Sequence, residues 1–158
     1  MKNAQLYKYS QEFFAVQNEE VHQICSDFEP NAIDTDYVYW LNFHNLQDRQ
    51  ALELLCQKLQ LDKLSIESIF LPLRRSKVEE YPNYLFFQIH TLRNNSATAA
   101  DTEKLSFVVG KSFLLSFQDH QGLHFSLKHH RAPHLIRVRR HSDLSLGLDG
   151  VKDGLVTI

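Results

Sequence analysis

Five consecutive residues, Tyr37-Val38-Tyr39-Trp40-Leu41, are large and apolar with nothing polar between them. A strand with one face in water alternates apolar and polar side chains, so an unbroken run of this kind asks for cover on both faces. That demand points to a layered fold with a sheet inside it.

Upstream, residues 6–9 and 13–16 carry aromatic or β-branched side chains on either side of Ser10-Gln11-Glu12, the pattern of a first hairpin. Downstream, Leu52, Leu55 and Leu59 recur at helical spacing through a stretch rich in Leu, Gln, Glu and Lys, and Asn45 stands three residues before Asp48 at cap-like spacing. A second helix starts near Asp62, places Ile66, Ile69 and Phe70 on one side and stops at Pro72. Strands return with Val78-Glu79-Glu80-Tyr81, a Pro82-Asn83 turn and residues 84–91, and residues 94–101 form a polar loop. Residues 105–109 and 113–117 alternate on either side of Gly110-Lys111, where a leading Gly suits a type II′ turn. Strands that flank a central helical pair predict an α/β chain, a mixed and mostly antiparallel sheet with helices packed on it.

Composition removes several function classes. Seventeen Lys and Arg against nineteen Asp and Glu give a net charge of −2, no general attraction for a phosphate backbone, so nucleic acid is not an expected partner. The longest apolar stretch, residues 105–117, is too short for a bilayer and is broken by Ser106, Lys111, Ser112 and Ser116. Residues 1–10 lack the apolar core of a signal peptide, and two cysteines, Cys25 and Cys56, fit a reducing cytoplasmic compartment.

Motifs for chemistry are sparse. No nucleophile elbow, phosphate loop or dinucleotide fingerprint occurs, so an enzyme is not expected. Glu79 and Glu80 are neighbours on a strand and point to opposite faces, which separates them as an acid/base pair. Cys56 falls on the apolar stripe of the better helix and reads as a small buried hydrophobe. Six histidines lie within residues 120–141, and His130 with His134 has the i, i+4 spacing of a metal pair, although Pro133 disturbs it. The same region carries Lys128, Arg131, Arg137, Arg139 and Arg140 with no acidic residue, a local basic patch open to an anionic ligand.

The middle of the chain carries a family resemblance. Tyr39-Trp40-Leu41-Asn42, the helix over residues 52–59, Leu64-Ser65-Ile66-Glu67-Ser68-Ile69, the block Arg75-Ser76-Lys77-Val78-Glu79-Glu80-Tyr81-Pro82-Asn83-Tyr84-Leu85-Phe86 and residues 103–117 resemble the N-terminal cytoplasmic domain of the CorA family of divalent-cation transporters. The match covers residues 37–118. Its most specific piece is the Lys77-Val78-Glu79-Glu80-Tyr81 block, with Ser76 where the family has proline, followed by a hairpin through Lys111 to Phe117 and Gln118. The resemblance marks Trp40, Glu67, Lys77, Val78, Glu79, Tyr84, Lys111 and Phe117 as family-motif positions of structural rather than catalytic role.

The resemblance implies a mixed sheet sandwiched between helices over residues 1–142 and, from 143 to 158, the start of a long helix whose membrane continuation lies beyond this chain. It further implies a homopentamer at the cytoplasmic face of the inner membrane that transports Mg²⁺, with Co²⁺, Ni²⁺ or Zn²⁺ in relatives, and no organic cofactor. In the family a divalent ion between subunits bridges acidic residues and favours a closed state. Here the matching positions read Arg93-Asn94-Asn95, poor ligands for a hard cation, which leaves Asp101, Glu103 and Asp153 as the candidate metal ligands and implies weak Mg²⁺ binding. Two alternatives stay open: a zinc-transporting relative, for which the clustered histidines speak, and a stand-alone soluble ligand-binding protein of the same fold.

Overall fold

The computed structural model of the chain describes residues 3–72, 75–92 and 102–119. The chain divides into two units, Met1–Ser126 and Leu127–Ile158, and every described residue belongs to the first. The expected boundary at residue 142 and the polar loop over residues 94–101 lie outside the described residues.

Among the described residues seven strands make one sheet: β1 (Ala4–Tyr9), β2 (Phe14–Glu19), β3 (Val38–His44), β4 (Lys77–Glu80), β5 (Leu85–Leu92), β6 (Thr102–Val109) and β7 (Phe113–Gln118), in the order β2-β1-β3-β7-β6-β5-β4. Every neighbouring pair is antiparallel except β3 and β7, which run parallel with Leu41 beside Leu115 and Phe43 beside Phe117. The mixed, mostly antiparallel sheet is therefore the expected one. The first hairpin is longer than its apolar residues suggested and is closed by Ser10 N donating to Phe13 O at 2.8 Å.

Among the described residues three α-helices lie on one face: α1 (Val21–Asp27), α2 (Arg49–Lys58) and α3 (Lys63–Phe70). They share a core with that face, in which Val21, Ile24 and Cys25 of α1, Leu52, Leu55 and Cys56 of α2, and Ile66 and Ile69 of α3 meet Leu41, Phe43, Phe86, Val108, Leu115 and Phe117. Phe43 and Phe117 stack with ring centroids 5.4 Å apart. Burial of this kind contributes about 1.5–3 kcal/mol per large side chain, so this layer carries most of the driving force. α1 has no counterpart among the expected elements. Its single turn of apolar residues, Val21, Ile24 and Cys25, is too short to show a period.

The ends of α2 differ from expectation in an instructive way. The cap is Asp48, whose Oδ1 accepts from Ala51 N, while Asn45 adopts φ 68° and turns the chain out of β3 before the helix begins. At the other end Leu61 N donates to Cys56 O and Gln60 N to Gln57 O, with Gln60 at φ 57°. These two bonds and the left-handed residue are those of a Schellman ending, at whose left-handed position glycine is usual. α3 is capped by Asp62, whose Oδ1 accepts from Leu64 N at 2.8 Å. At its far end the buried Lys104 ammonium donates to Ile69 O and Leu71 O at 2.6 and 2.9 Å. That fixes the helix end to β6, although burial lowers the lysine's pKa.

The β6–β7 hairpin is present, but not with the expected turn. Gly110 N donates to Phe113 O, so the two turn residues are Lys111 and Ser112, and neither has a positive φ. Gly110 is required for space instead: a Cβ there would meet the Phe113 ring at 2.2 Å.

Two outcomes follow for thermal or urea unfolding of single variants. Gln60→Gly raises stability by about 0.5–1 kcal/mol, because glycine carries no penalty at that φ. Gly110→Ala lowers it by about 1–3 kcal/mol through overpacking against Phe113.

Candidate functional site

The second face of the sheet, opposite the three helices, holds the most connected polar chemistry among the described residues. Counting by twos from Trp40 along β3 reaches Asn42 and His44, and counting by twos along β7 reaches Leu114, Ser116 and Gln118, so these side chains share one face. They are buried nonetheless: Asn42 and Gln118 are fully so, and His44 retains 8% of its surface. A buried polar group must find partners or cost about 1–3 kcal/mol, and Asn42 supplies them.

The Asn42 amide uses all four of its hydrogen-bonding positions. Its Oδ1 accepts from Ser116 Oγ at 2.8 Å and from Gln118 Nε2 at 3.1 Å. Its Nδ2 donates to Gln5 Oε1 at 3.1 Å and to His44 Nε2 at 3.0 Å. Trp40 Nε1 donates to Ser116 Oγ, which leaves the serine proton for Asn42, and Tyr7 Oη donates to Gln5 Oε1. Gln5 Nε2 in turn donates to Asn18 Oδ1 on β2. One connected chain of hydrogen bonds thus crosses β2, β1, β3 and β7.

This network assigns the histidine tautomer. His44 Nε2 stands 3.0 Å from the Asn42 donor and 3.3 Å from Gln5 Oε1, an oxygen that already accepts from Tyr7 and Asn42, so the shorter contact has Nε2 accepting and Nδ1 carries the proton. Burial holds the His44 pKa below the ordinary imidazole range, and the nearby Glu103 carboxylate pulls the other way. His44 Nδ1, Gln118 Oε1 and Tyr9 Oη are buried without a hydrogen-bond partner.

A second constellation lies at the opposite edge of the sheet. Lys77 Nζ donates to Ser68 Oγ and to Glu79 Oε1, both at 3.1 Å, and sits 5.3 Å from the Phe86 ring centroid. Tyr81 Oη donates to the other carboxylate oxygen of Glu79. Tyr84 is buried, stacks on Tyr81 at 4.6 Å, accepts from Asp62 N and shares a hydrogen bond with Ser65 Oγ. The block thereby ties edge strand β4 and the start of β5 to α3.

Comparison with known proteins agrees with this architecture. The sequence profile of the family described as CorA-like Mg2+ transporter protein matches residues 35–142. The chain belongs to that CorA-like family. The "Putative metal ion transporter YfjQ" of Bacillus subtilis (strain 168) is 29% identical over 102 residues, which are 63% of this chain and 31% of that protein. The chain thus spans about a third of that relative's length. Among solved structures, the full-length CmaX protein superposes with a TM-score of 0.53 at 10% identity, covering 73% of this chain and 34% of that one. The ZntB cytoplasmic domain from Vibrio parahaemolyticus superposes with a TM-score of 0.51 at 9% identity, covering 75% and 45%. At such identities these two likenesses show the fold.

Set on this CorA-like fold, the motif residues divide by what they touch. Trp40, Lys77, Tyr84 and Phe117 each tie two elements together, while Glu79 accepts from Lys77 on its own strand and from Tyr81 two residues on. Glu67 pairs with Lys63 on the outside of α3 at 3.8 Å, Val78 is exposed on the edge strand, and Lys111 is an exposed turn residue. The separation of Glu79 from Glu80 holds, since Glu79 is half-buried and Glu80 exposed. Cys56 is buried as expected, and burial pushes its thiol up to about 12, as it does that of Cys25.

Of the candidate metal ligands, Glu103 is described and is buried on the second face, at 3% of its surface. Asp101, Asp153, Arg93-Asn94-Asn95 and the His- and Arg-rich residues 120–142 lie outside the described residues. Among the described residues no three His, Cys, Asp or Glu side chains converge on a point that could hold a metal ion. They do not by themselves fit a resident divalent cation. No helix among the described residues is long and apolar enough to cross a membrane. The sequence reading missed Gln5, Asn42, His44, Ser116 and Gln118. Their signal was the parity shared with Trp40 and Leu114, visible only once β3 and β7 are known to be neighbours.

Asn42→Ala strands Gln118 Nε2 and the Ser116 hydroxyl, and lowers stability by about 2–4 kcal/mol in denaturant titration. His44 gives a pH dependence of definite sign. Its folded pKa is depressed, so the unfolded chain binds the proton first and stability falls as pH drops below about 6.5 through the folded value. Unfolding midpoints measured from about pH 7.5 down to about pH 5.5 should fall more steeply for the native chain than for His44→Gln.

Proposed function

We propose that this chain is the cytoplasmic regulatory and assembly domain of a CorA-type transporter whose cargo is a divalent cation, Mg²⁺ first, and that it works in a homopentamer at the inner membrane. The observation that carries this reading is the family match over residues 35–142, which takes in β3 through β7 and with them the parallel pair at the centre of the sheet. In this reading the domain contributes shape and subunit contacts rather than bond-making chemistry. Its regulation follows the usual thermodynamic rule: a cation held between subunits shifts the closed and open states only by its differential affinity for them.

Cation binding in this reading draws on Asp101, Glu103 and Asp153. Glu103 is the least suited of the three by itself, since a hydrated ion must shed water to reach a buried carboxylate and Mg²⁺ sheds water reluctantly. Asp101, directly before β6, is the stronger candidate, and the partner carboxylates come from a neighbouring subunit.

Uptake by the complete gene product in proteoliposomes tests the transport reading. Mg²⁺ uptake that Co²⁺ competes for is the expected result, and uptake of Zn²⁺ alone overturns the choice of cargo in favour of a zinc transporter. Calorimetric titration of the complete protein with Mg²⁺ tests the site: weak binding that Asp101→Ala weakens further is expected, and unchanged affinity removes Asp101 from it.

A further inference from the structure

Away from the second face, one group on the helix side is held in an unusual way. Lys58, the last residue of α2, directs its ammonium to the C-terminal end of α1. There it contacts Ser26 O at 3.1 Å, Cys25 O at 3.3 Å, Phe28 O at 3.4 Å and Glu29 Oε1 at 2.8 Å. Three backbone carbonyls and one carboxylate therefore surround a single positive charge. An ammonium has three protons to donate, and here four oxygens share them. Such a surround does not need directional donors; it needs a cation.

The reason lies in α1. A helix end leaves its last carbonyls without intrahelical partners and carries about half a negative charge. A basic residue in the last turn is one favourable answer, and α1 has none. Phe28 N closes the last helical bond to Ile24 O, and Phe28 itself is extended at φ −76°, ψ 114°, so the chain leaves the helix there and the carbonyls of Cys25, Ser26 and Phe28 all come within reach of one group. The Glu29 side chain, more than half exposed, adds a full charge on the solvent side. Lys58 reaches this point from thirty residues away.

We infer that the C-terminal end of α1 is a cation site that the chain fills with its own ammonium group, and that without Lys58 it takes a large monovalent cation, potassium or ammonium. Size selects the class. The oxygens stand 2.8–3.4 Å from the bound nitrogen, well outside the roughly 2.0–2.1 Å that Mg²⁺ demands and the roughly 2.3–2.6 Å of Ca²⁺. Carbonyl oxygens are also the ligands that replace the hydration shell of potassium elsewhere. In the native chain the tether keeps the ammonium at high effective concentration, so free cations do not displace it.

The test compares thermal unfolding of the full native chain with that of Lys58→Met, which keeps the apolar stem, in potassium, ammonium and choline chlorides at equal ionic strength. The expected result is a saturable rise of the midpoint in potassium and ammonium but not in choline, seen in the variant and absent from the native chain. An equal response to all three salts overturns the inference, as does the same potassium response in the native chain. Should Lys58→Met fail to fold in choline chloride, recovery on addition of potassium supports the site and failure in every salt overturns it. Adding Glu29→Gln to Lys58→Met is expected to move half-saturation to several-fold higher potassium, and an unchanged half-saturation overturns the cage as described.

Discussion

The structure depends on β3 being buried on both sides. On one side Leu41 and Phe43 enter the core shared with the three helices; on the other Trp40, Asn42 and His44 enter a polar network. Between these layers β3 joins two antiparallel halves of the sheet, the β1–β2 hairpin on one flank and β7 with β6, β5 and β4 on the other. The one parallel pairing among the described residues, β3 with β7, is the seam between them. A seam of this kind must hold its register, since a slip by one residue would put Asn42 among leucines and Leu41 among amides. The four bonds of Asn42 penalise that slip, and Ser116 and Gln118 are the β7 groups that read it.

Charged groups serve the same end at the edges. Lys104 ties the end of α3 to β6, Lys77 with Glu79 ties β4 to α3, and Lys58 ties α1 to α2. Each lysine receives carbonyl, hydroxyl or carboxylate oxygens in place of water. These are contacts between elements, and breaking one loosens a specific joint rather than the whole core.

Much of the fold was legible in the sequence because it rests on short-range pattern. The unbroken run at Tyr37 to Leu41 announced β3, although the part covered on both faces is Trp40 to His44 and Val38 and Tyr39 are half-buried; alternation announced β6 and β7, and the Leu52, Leu55 and Leu59 spacing announced α2. What was not legible depends on partners distant in sequence. Asn45 looked like a cap but takes a left-handed turn, because the chain must leave β3 before Asp48 can cap α2. Gly110 looked like the first residue of a mirror-image turn, whereas its lack of a side chain makes room for Phe113. Lys77 and Glu79 were marked by family resemblance, and the structure adds what they grip. Asn42, His44, Ser116 and Gln118 carry no local signal of a shared site, since β3 and β7 lie some seventy residues apart in the chain.

The claim that the doubly buried β3 seam is the last part of the domain to open is open to direct measurement by native-state hydrogen exchange. The account predicts that the Leu41 and Phe43 amides of β3 and the Leu115 amide of β7 exchange only through global unfolding, with a common free energy that falls equally with denaturant. Amides of the edge strand β2 should open at lower free energy. Exchange of the β3 amides at the rate of β2, or by a local opening insensitive to denaturant, would contradict it.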